Sequence, residues 1–241
     1  AKLFPLISED IIKGRAEMDI KSGILQDDNV FGLKLVSWFG DNEKLGLPSL
    51  TGLTMLFDLK NGFPIALLNA SYLTGMRTGA AGAVGVNYLA KRDSKVLLIV
   101  GTGVQAIFQI AATLSKVTTI DKVYLFNALS FEDALKFKGS IKEKLSKISN
   151  DINDLGNSDW IKRIESVEFT PVKHLAKALE EADAVITVTP SRKVLILKEW
   201  VRPGTHFSCI GADMLGKQEI DEKIFDKAIV YTDDIPQATT V

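Results

Sequence analysis

One stretch limits what this chain can fold into more than any other: Lys95-Val-Leu-Leu-Ile-Val-Gly-Thr-Gly-Val-Gln-Ala-Ile-Phe-Gln-Ile-Ala-Ala. Residues 96–100 are five apolar side chains in succession, the pattern of a strand covered on both faces within a parallel sheet. The run breaks at Gly101-Thr102-Gly103, and apolar residues return at Val104, Ile107, Phe108 and Ala111 with helical spacing. A strand, a glycine turn and a helix in that order make the element that binds a dinucleotide. Gly101 permits the tight turn, and Gly103 lets a pyrophosphate approach the backbone. Ala106, in place of a third glycine, is still small enough for close helix–strand packing. The N–H groups and positive dipole end of the helix then face the phosphates. Glycines also mark ordinary βα turns; the strand pattern before and the helix pattern after favour the nucleotide reading.

Downstream, strands alternate with helices. A strand is expected over 122–126, a helix from about Phe131, a helix over 174–181, and strands over 184–188, 205–210 and 228–232. Residues 136–147 are rich in charge, and the polar, glycine-containing segment 151–159 reads as a surface insertion. This alternation predicts an α/β fold with a Rossmann-type, doubly wound parallel sheet, whose ligands sit beyond the carboxyl ends of the strands. The glycine turn, Thr189 and Asp213 all fall at such ends.

Upstream, the pattern is different. Residues 3–12 suggest a short amphipathic piece, and 13–29 carry no sustained period. Gly32-Leu-Lys-Leu-Val-Ser-Trp-Phe alternates as a strand, and two more over 53–59 and 64–69 are joined by the hairpin signal Lys60-Asn-Gly62. A smaller α+β domain with an antiparallel sheet is therefore expected before the nucleotide unit. Ser71 is placed to cap a helix over 72–91 that is rich in small residues at Gly79-Ala-Ala-Gly-Ala, open to another backbone or to a ligand. Arg77 is the single long charged side chain between Ser71 and Ala90, which suggests an anion site; a structural ion pair is the plain alternative.

Composition narrows the function classes. A net charge of −1 with Lys and Arg spread along the chain argues against nucleic acid as a partner. No apolar run approaches the roughly 20 residues that span a bilayer, and no signal-peptide pattern opens the sequence. The single cysteine, Cys209, excludes an internal disulfide and fits a reducing compartment. Two histidines, His174 and His206, without a Cys/His cluster make a metal site unexpected. The expectation is a cytoplasmic protein without a membrane partner.

With these segments placed, the sequence resembles the ornithine cyclodeaminase/mu-crystallin family. The matching stretches are Gly32-Leu-Lys-Leu-Val-Ser, Leu73-Thr-Gly-Met-Arg-Thr-Gly-Ala-Ala, Val100-Gly-Thr-Gly-Val-Gln-Ala, Thr187-Val-Thr-Pro-Ser and Ile210-Gly-Ala-Asp-Met-Leu-Gly-Lys-Gln-Glu. The resemblance implies a homodimer of two-domain subunits. Residues 1–92, with 234–241, would form the substrate-binding and dimerisation domain, and 93–233 the dinucleotide-binding domain. It implies that Lys34 and Arg77 hold a substrate carboxylate and that Asp213 is the proton donor and acceptor. Ser49, Arg77, Thr78, Gly101, Gly103, Val104, Gln105, Asn127, Thr189, Phe207, Ser208, Cys209, Ile210 and Lys217 would then contact NAD or NADP. Two cations suit one carboxylate, and a carboxyl beside a nicotinamide can move protons. Lys34 on its own would read as a solvated strand lysine.

Three departures from the family pattern matter. The second nucleotide-domain strand ends Phe126-Asn-Ala-Leu-Ser, without the acidic residue that holds the adenosine ribose. The 2′-phosphate of NADP is not repelled there, yet no Lys or Arg adjoins Asn127, and both cofactors stay open. Leu215 stands where ornithine cyclodeaminase has proline. The chain also stops at Thr240-Val241, before the family's returning tail, and its opening is compressed, so that Arg15 is the nearest candidate for a further carboxylate-binding arginine.

The resemblance implies an enzyme that moves hydride at the α-carbon of an amino or imino acid. The ornithine cyclodeaminase form converts ornithine to proline with loss of ammonia. The alternatives are an alanine dehydrogenase or ketimine reductase and, in another class, a mu-crystallin-like protein that holds NADPH and a small ligand without catalysis. An unrelated Rossmann dehydrogenase is disfavoured by the Arg77-Thr78 element ahead of the nucleotide fold.

Overall fold

The computed structural model describes residues 1–151 and 157–240. The chain divides into two compact units, with the boundary between Gly75 and Met76.

The first unit is an antiparallel sheet of six strands: β1 (Lys2–Leu3), β2 (Ile7–Ile12), β3 (Ala16–Leu25), β4 (Val30–Phe39), β5 (Leu50–Asp58) and β6 (Pro64–Asn69). They run in the order β1-β3-β4-β5-β6, with β2 also paired to β3. The β3/β4 ladder is unbroken over ten pairs, from Ala16↔Phe39 to Leu25↔Val30. Its turn is closed by Asn29 at φ 54°, a conformation that asparagine tolerates better than most residues. The β5/β6 hairpin forms where Lys60-Asn-Gly62 predicted it. Gly62 takes φ +76°, and the Asp58 and Asn61 side chains accept from the Lys60 and Phe63 amides at 2.7 and 2.9 Å.

The opening of the chain corrects the sequence reading, because 7–12 and 16–25 are strands. The clue was present in β3, where Met18, Ile20 and Ile24 alternate with Glu17, Asp19 and Lys21.

Helix α1 (Ala70–Leu89) follows. Its first turn is held by Asn69 rather than Ser71: Asn69 Oδ1 accepts from the Ser71 amide at 2.9 Å. The second unit then alternates β7 (Val96–Val100), α2 (Val104–Lys116), β8 (Lys122–Phe126), α3 (Phe131–Asp151), α4 (Asn157–Ser166), β9 (Glu168–Pro171), α5 (Leu175–Glu181), β10 (Ala184–Thr187), β11 (Arg192–Ile196), β12 (His206–Cys209), β13 (Gln218–Ile220) and α6 (Ile235–Thr240). Five strands form one fully parallel sheet in the order β12-β10-β7-β8-β9. Counted among the strands of this sheet alone, that is 5-4-1-2-3, the doubly wound order in which the chain reverses direction beside its first strand.

Both faces of this sheet are covered, which explains the unbroken apolar run in β7. Leu97 and Ile99 join a cluster with Phe108, Ile110, Phe137 and Ile141 of α2 and α3. Leu98 and Val100 join a second cluster with Leu175 and Leu179 of α5. Each fully buried Leu or Ile contributes about 1.5–3 kcal/mol by its removal from water.

The small residues of α1 meet another backbone. A Cβ at Gly79 would lie 2.4 Å from the Phe108 carbonyl oxygen, and one at Gly82 would lie 2.0 Å from Gln109 Oε1. Gln109, itself fully buried, donates from Nε2 to the Thr78 carbonyl at 2.9 Å.

Two further expectations are corrected. Residues 228–232 form no strand, and Ile229, Val230 and Tyr231 are 84%, 61% and 66% exposed. Apolar composition there mimics a buried strand, but a strand also needs a ladder. The segment 151–159 is not one loop, since Asp151 closes α3 and 157–159 open α4, while 152–156 lie outside the described residues. Among the described residues, no helix is long and apolar enough to cross a membrane.

Candidate functional site

Because the five strands run in parallel, their carboxyl ends share one edge. Register aligns Val100 of β7 with Phe126 of β8 and Thr187 of β10, and Thr187 with Cys209 of β12. The turns that follow these strands carry Gly101-Thr-Gly103, Asn127, Thr189 and 210–213. The strand order reverses between β7 and β10, and ligands of such sheets settle in the crevice at that reversal.

The two glycines of the first turn differ in what requires them. Gly101 sits at φ +111°, and a Cβ there would come 2.8 Å from the Val188 carbonyl oxygen and 3.0 Å from Thr189 Cγ2. The fold demands glycine at 101. Gly103 has φ −78°, which any residue adopts, and an added Cβ would meet nothing within 4 Å. The protein's own packing makes no demand for glycine at 103, whereas a ligand lying against the turn would.

Gly103 is also the N-cap of α2 and offers no side-chain cap to the helix's first N–H groups. Gln105 Oε1, in the first turn of α2, and Thr78 Oγ1, on α1, are side-chain oxygens buried without a hydrogen-bond partner among the described residues. An open cradle at Gly103, an uncapped helix start and two unsatisfied buried oxygens together fit the phosphates and hydroxyls of a dinucleotide. Val104, the first residue of α2, is 46% exposed beside this turn.

Asn127 braces the same turn. Its Nδ2 donates to Thr102 Oγ1 at 2.8 Å, and its Oδ1 accepts the Leu129 and Ser130 amides at 2.8 and 3.1 Å. The residue at the acidic position of the family is thus engaged with the glycine turn and with its own loop.

On β12, alternate side chains face opposite ways. Phe207 packs with the α5 cluster, and Ile210, just beyond the strand, packs with the α2 cluster. Ser208 donates to the Gly82 carbonyl of α1 at 3.2 Å and lies 2.9 Å from His206 Nε2. Since the single hydroxyl proton of Ser208 goes to Gly82, His206 must donate from Nε2, which sets its tautomer. Burial lowers the His206 pKa to about 4.

Cys209 is exposed as a residue, yet its thiol lies on the side of Thr187 and the Glu219 carboxylate. Desolvation there, reinforced by the carboxylate, pushes the thiol up to about 12.

Asp213 and Lys217 come together beyond β12, with Nζ 2.9 Å from Oδ1. The Lys217 side chain is 7% exposed and that of Asp213 52%. The carboxylate therefore reaches solvent, and Lys217 is a close cation that the sequence reading had placed only against the cofactor.

The residue that sequence reasoning passed over is Glu219. It is 1% exposed and accepts four hydrogen bonds: from Thr189 N and Oγ1 to Oε1, and from Thr187 Oγ1 and Gly211 N to Oε2. Burial raises its pKa, while the bonds from Thr187, Thr189 and Gly211 pull it back. The only hint in the sequence was its place at the end of the Gly-x-Asp-x-x-Gly-Lys-x-Glu element.

In the first unit, Lys34 on β4 donates to Thr74 Oγ1 at 3.4 Å, and Thr74 is buried. Thr74 precedes Arg77 by one turn of α1, and Arg77 is exposed. Ser49 is buried, and its carbonyl accepts the Phe39 amide at 2.8 Å. Arg15 is engaged elsewhere: its guanidinium pairs with Asp41, whose pKa is lowered first by its hydrogen bond from Lys44 and then by that from Arg15.

The strand order and the glycine turn define a Rossmann-type dinucleotide-binding fold. The sequence model of the ornithine cyclodeaminase/mu-crystallin family matches residues 12–241, and the chain belongs to that family. It is 36% identical over 207 residues to alanine dehydrogenase of Archaeoglobus fulgidus, covering 86% of this chain and 56% of that protein. An archaeal alanine dehydrogenase dimer with bound NAD superposes with a TM-score of 0.79 at 30% identity, over 99% of this chain and 66% of that one. Δ1-pyrroline-2-carboxylate reductase of Thermococcus litoralis, in complex with NADH and L-proline, gives 0.77 at 29% identity, over 94% and 64%. The chain spans 56% and 64% of the length of the first two curated relatives it matches.

Proposed function

We propose that this protein is a nicotinamide-dependent oxidoreductase acting at the α-carbon of an amino or imino acid. The observation that carries the reading is the cradle at Gly103, open to a ligand at the start of α2, with the unsatisfied Gln105 oxygen in the helix's first turn. Gly101, Gly103, Val104, Gln105, Thr78 and Thr189 would hold the dinucleotide, with Ser49, Asn127, Lys217 and residues 207–210 around it. When bound, the nicotinamide ring supplies the two-electron acceptor for the α-hydrogen of an amino acid, or the donor in the reverse direction.

The chain's own residues have separate tasks. Lys34 and Arg77 grip the α-carboxylate through charge-assisted hydrogen bonds. Asp213 takes a proton from the substrate amine as the α C–H bond breaks and the C=N bond forms, and returns it on reduction. Lys217 holds one oxygen of that carboxylate, its Nζ 2.9 Å from Oδ1. Residues 1–92 with 234–241 would carry substrate binding and dimerisation.

The names of the compared relatives, an alanine dehydrogenase and a pyrroline-2-carboxylate reductase, support amino-acid oxidation or imine reduction. The leucine at 215 favours these over ornithine cyclisation, the first reading of the sequence, which becomes the second reading here.

Asp213→Asn is the deciding experiment. It keeps the shape and removes proton exchange, so kcat should fall by roughly 10²–10⁴-fold with either cofactor. Affinity for NADH or NADPH, read by fluorescence, should hardly change. Reduced-cofactor absorbance and ammonia release over a panel of amino and imino acids separate a dehydrogenase from a redox-neutral cyclodeaminase. Cofactor binding with no turnover of any of them, in wild type as in the variant, would instead favour a mu-crystallin-like binding protein.

A further inference from the structure

The loop over 211–217 carries both Asp213 and Lys217, and Glu219 ties it at each end. At its start, the Gly211 amide donates to Glu219 Oε2 at 3.0 Å; at its close stands Glu219 itself, in β13. The same carboxylate takes Thr187 Oγ1, Thr189 N and Thr189 Oγ1, each at 2.7 Å, from the end of β10. No slack is left at this junction. A Cβ at Gly211 would lie 2.2 Å from the Thr189 carbonyl oxygen and 2.7 Å from Glu219 Oε1.

Four donors and no acceptor suit an ionised carboxylate, and two of the donors are backbone amides that cannot turn away. Burying such a charge is expensive, and an apolar residue of similar volume often serves stability as well or better. Its specific return here is geometry, since it fixes the path of the backbone on either side of Asp213 relative to β10.

We infer that Glu219 is a positioning residue that sets the 211–217 loop, and with it Asp213, against the end of β10. The inference rests on the proposed role of Asp213.

Glu219→Gln keeps the shape but turns one acceptor oxygen into an N–H donor, which must face the amide of either Thr189 or Gly211. Hydrogen exchange on the full chain without added cofactor should speed up about ten- to a hundredfold at 189 and 210–217, as expected for loss of a charge-assisted hydrogen bond. Exchange in β7 and β8 should stay as in wild type. With NADH or NADPH and the imino acid that the wild type reduces, kcat should drop by about 10²-fold while KM stays within about threefold.

Thr187→Val removes one donor and serves as the check if the Gln variant does not fold. It should give the same exchange pattern at the same residues, only weaker. Uniformly faster exchange in every strand, or unchanged exchange at 210–217, would show a merely structural carboxylate and overturn the inference. A wild type that turns over no amino or imino acid would remove the proposed reaction, and the exchange pattern would still decide whether Glu219 sets the loop.

Discussion

In the parallel sheet, Leu97, Leu98, Ile99 and Val100 are each wholly buried; in the antiparallel sheet, Leu53, Ile65 and Leu67 are 51%, 55% and 64% exposed. Both sheets complete their backbone ladders, so hydrogen bonding does not separate them. What differs is the layer laid over them. Helices cover both faces of the second unit's sheet, while Ala16, Val36 and Ala70 are the buried hydrophobics before Gly75 among the described residues. Ladder formation and hydrophobic transfer are thus separate contributions, and only the parallel sheet receives the second in full.

The largest expected effect is a matched pair of substitutions. Ile99→Ala should lower unfolding free energy by about 2–5 kcal/mol, whereas Ile65→Ala should cost within about 1 kcal/mol. Denaturant titration of both variants checks this. Equal losses would break the comparison and show that the first unit's sheet is covered in solution; in that case the Ile65→Ala loss should grow with protein concentration, as a homodimer interface would require.

Glycine sharpens the contrast at smaller scale. Gly62 and Gly101 both take positive φ, but a Cβ at Gly62 meets nothing within 4 Å, whereas at Gly101 it meets the Val188 carbonyl. Gly62→Ala should cost about 1 kcal/mol from backbone strain alone, and Gly101→Ala more, through strain and overlap together. Thermal melts would expose a reversed order.

A further contrast is a slope with pH. His206 has a folded-state pKa near 4, below its ordinary 6.5. A base with a depressed pKa contributes stability that is present above about 6.5 and lost as pH falls through about 4. His206→Asn should flatten the stability of the second unit across that window relative to wild type. Parallel curves for the two proteins would mean that the imidazole is solvated. In the first unit, Asp41→Asn should leave stability unchanged within error, because the Arg15 and Lys44 partners are exposed.

The same contrast governs what could be read in advance. β7, β8, β10 and β12 were legible because residues covered on two faces form short apolar runs between turn signals. β3 was missed because Ser22 and Gly23 interrupt an otherwise regular alternation, and residues 228–232 were misread because composition cannot supply a ladder partner. The glycine turn was legible as the break between β7 and α2, and Gly101 as the residue that the tight turn requires. Glu219 was not, since its partners Thr187, Thr189 and Gly211 stand 32, 30 and 8 positions away and meet it only once three strand ends converge. Asp213 was visible as a family position, but its pairing with Lys217 depends on a loop path that no periodicity encodes.

The lone thiol has a practical consequence. At a pKa of about 12, Cys209 holds on the order of 10⁻⁵ of its population as thiolate at neutral pH, so maleimides and alkylating reagents should react with the native chain very slowly. Denaturation returns the sulfur to ordinary acidity. The rate at which a coloured thiol reagent is consumed then becomes a clock for opening of the β10/β12 edge, read without any engineered label.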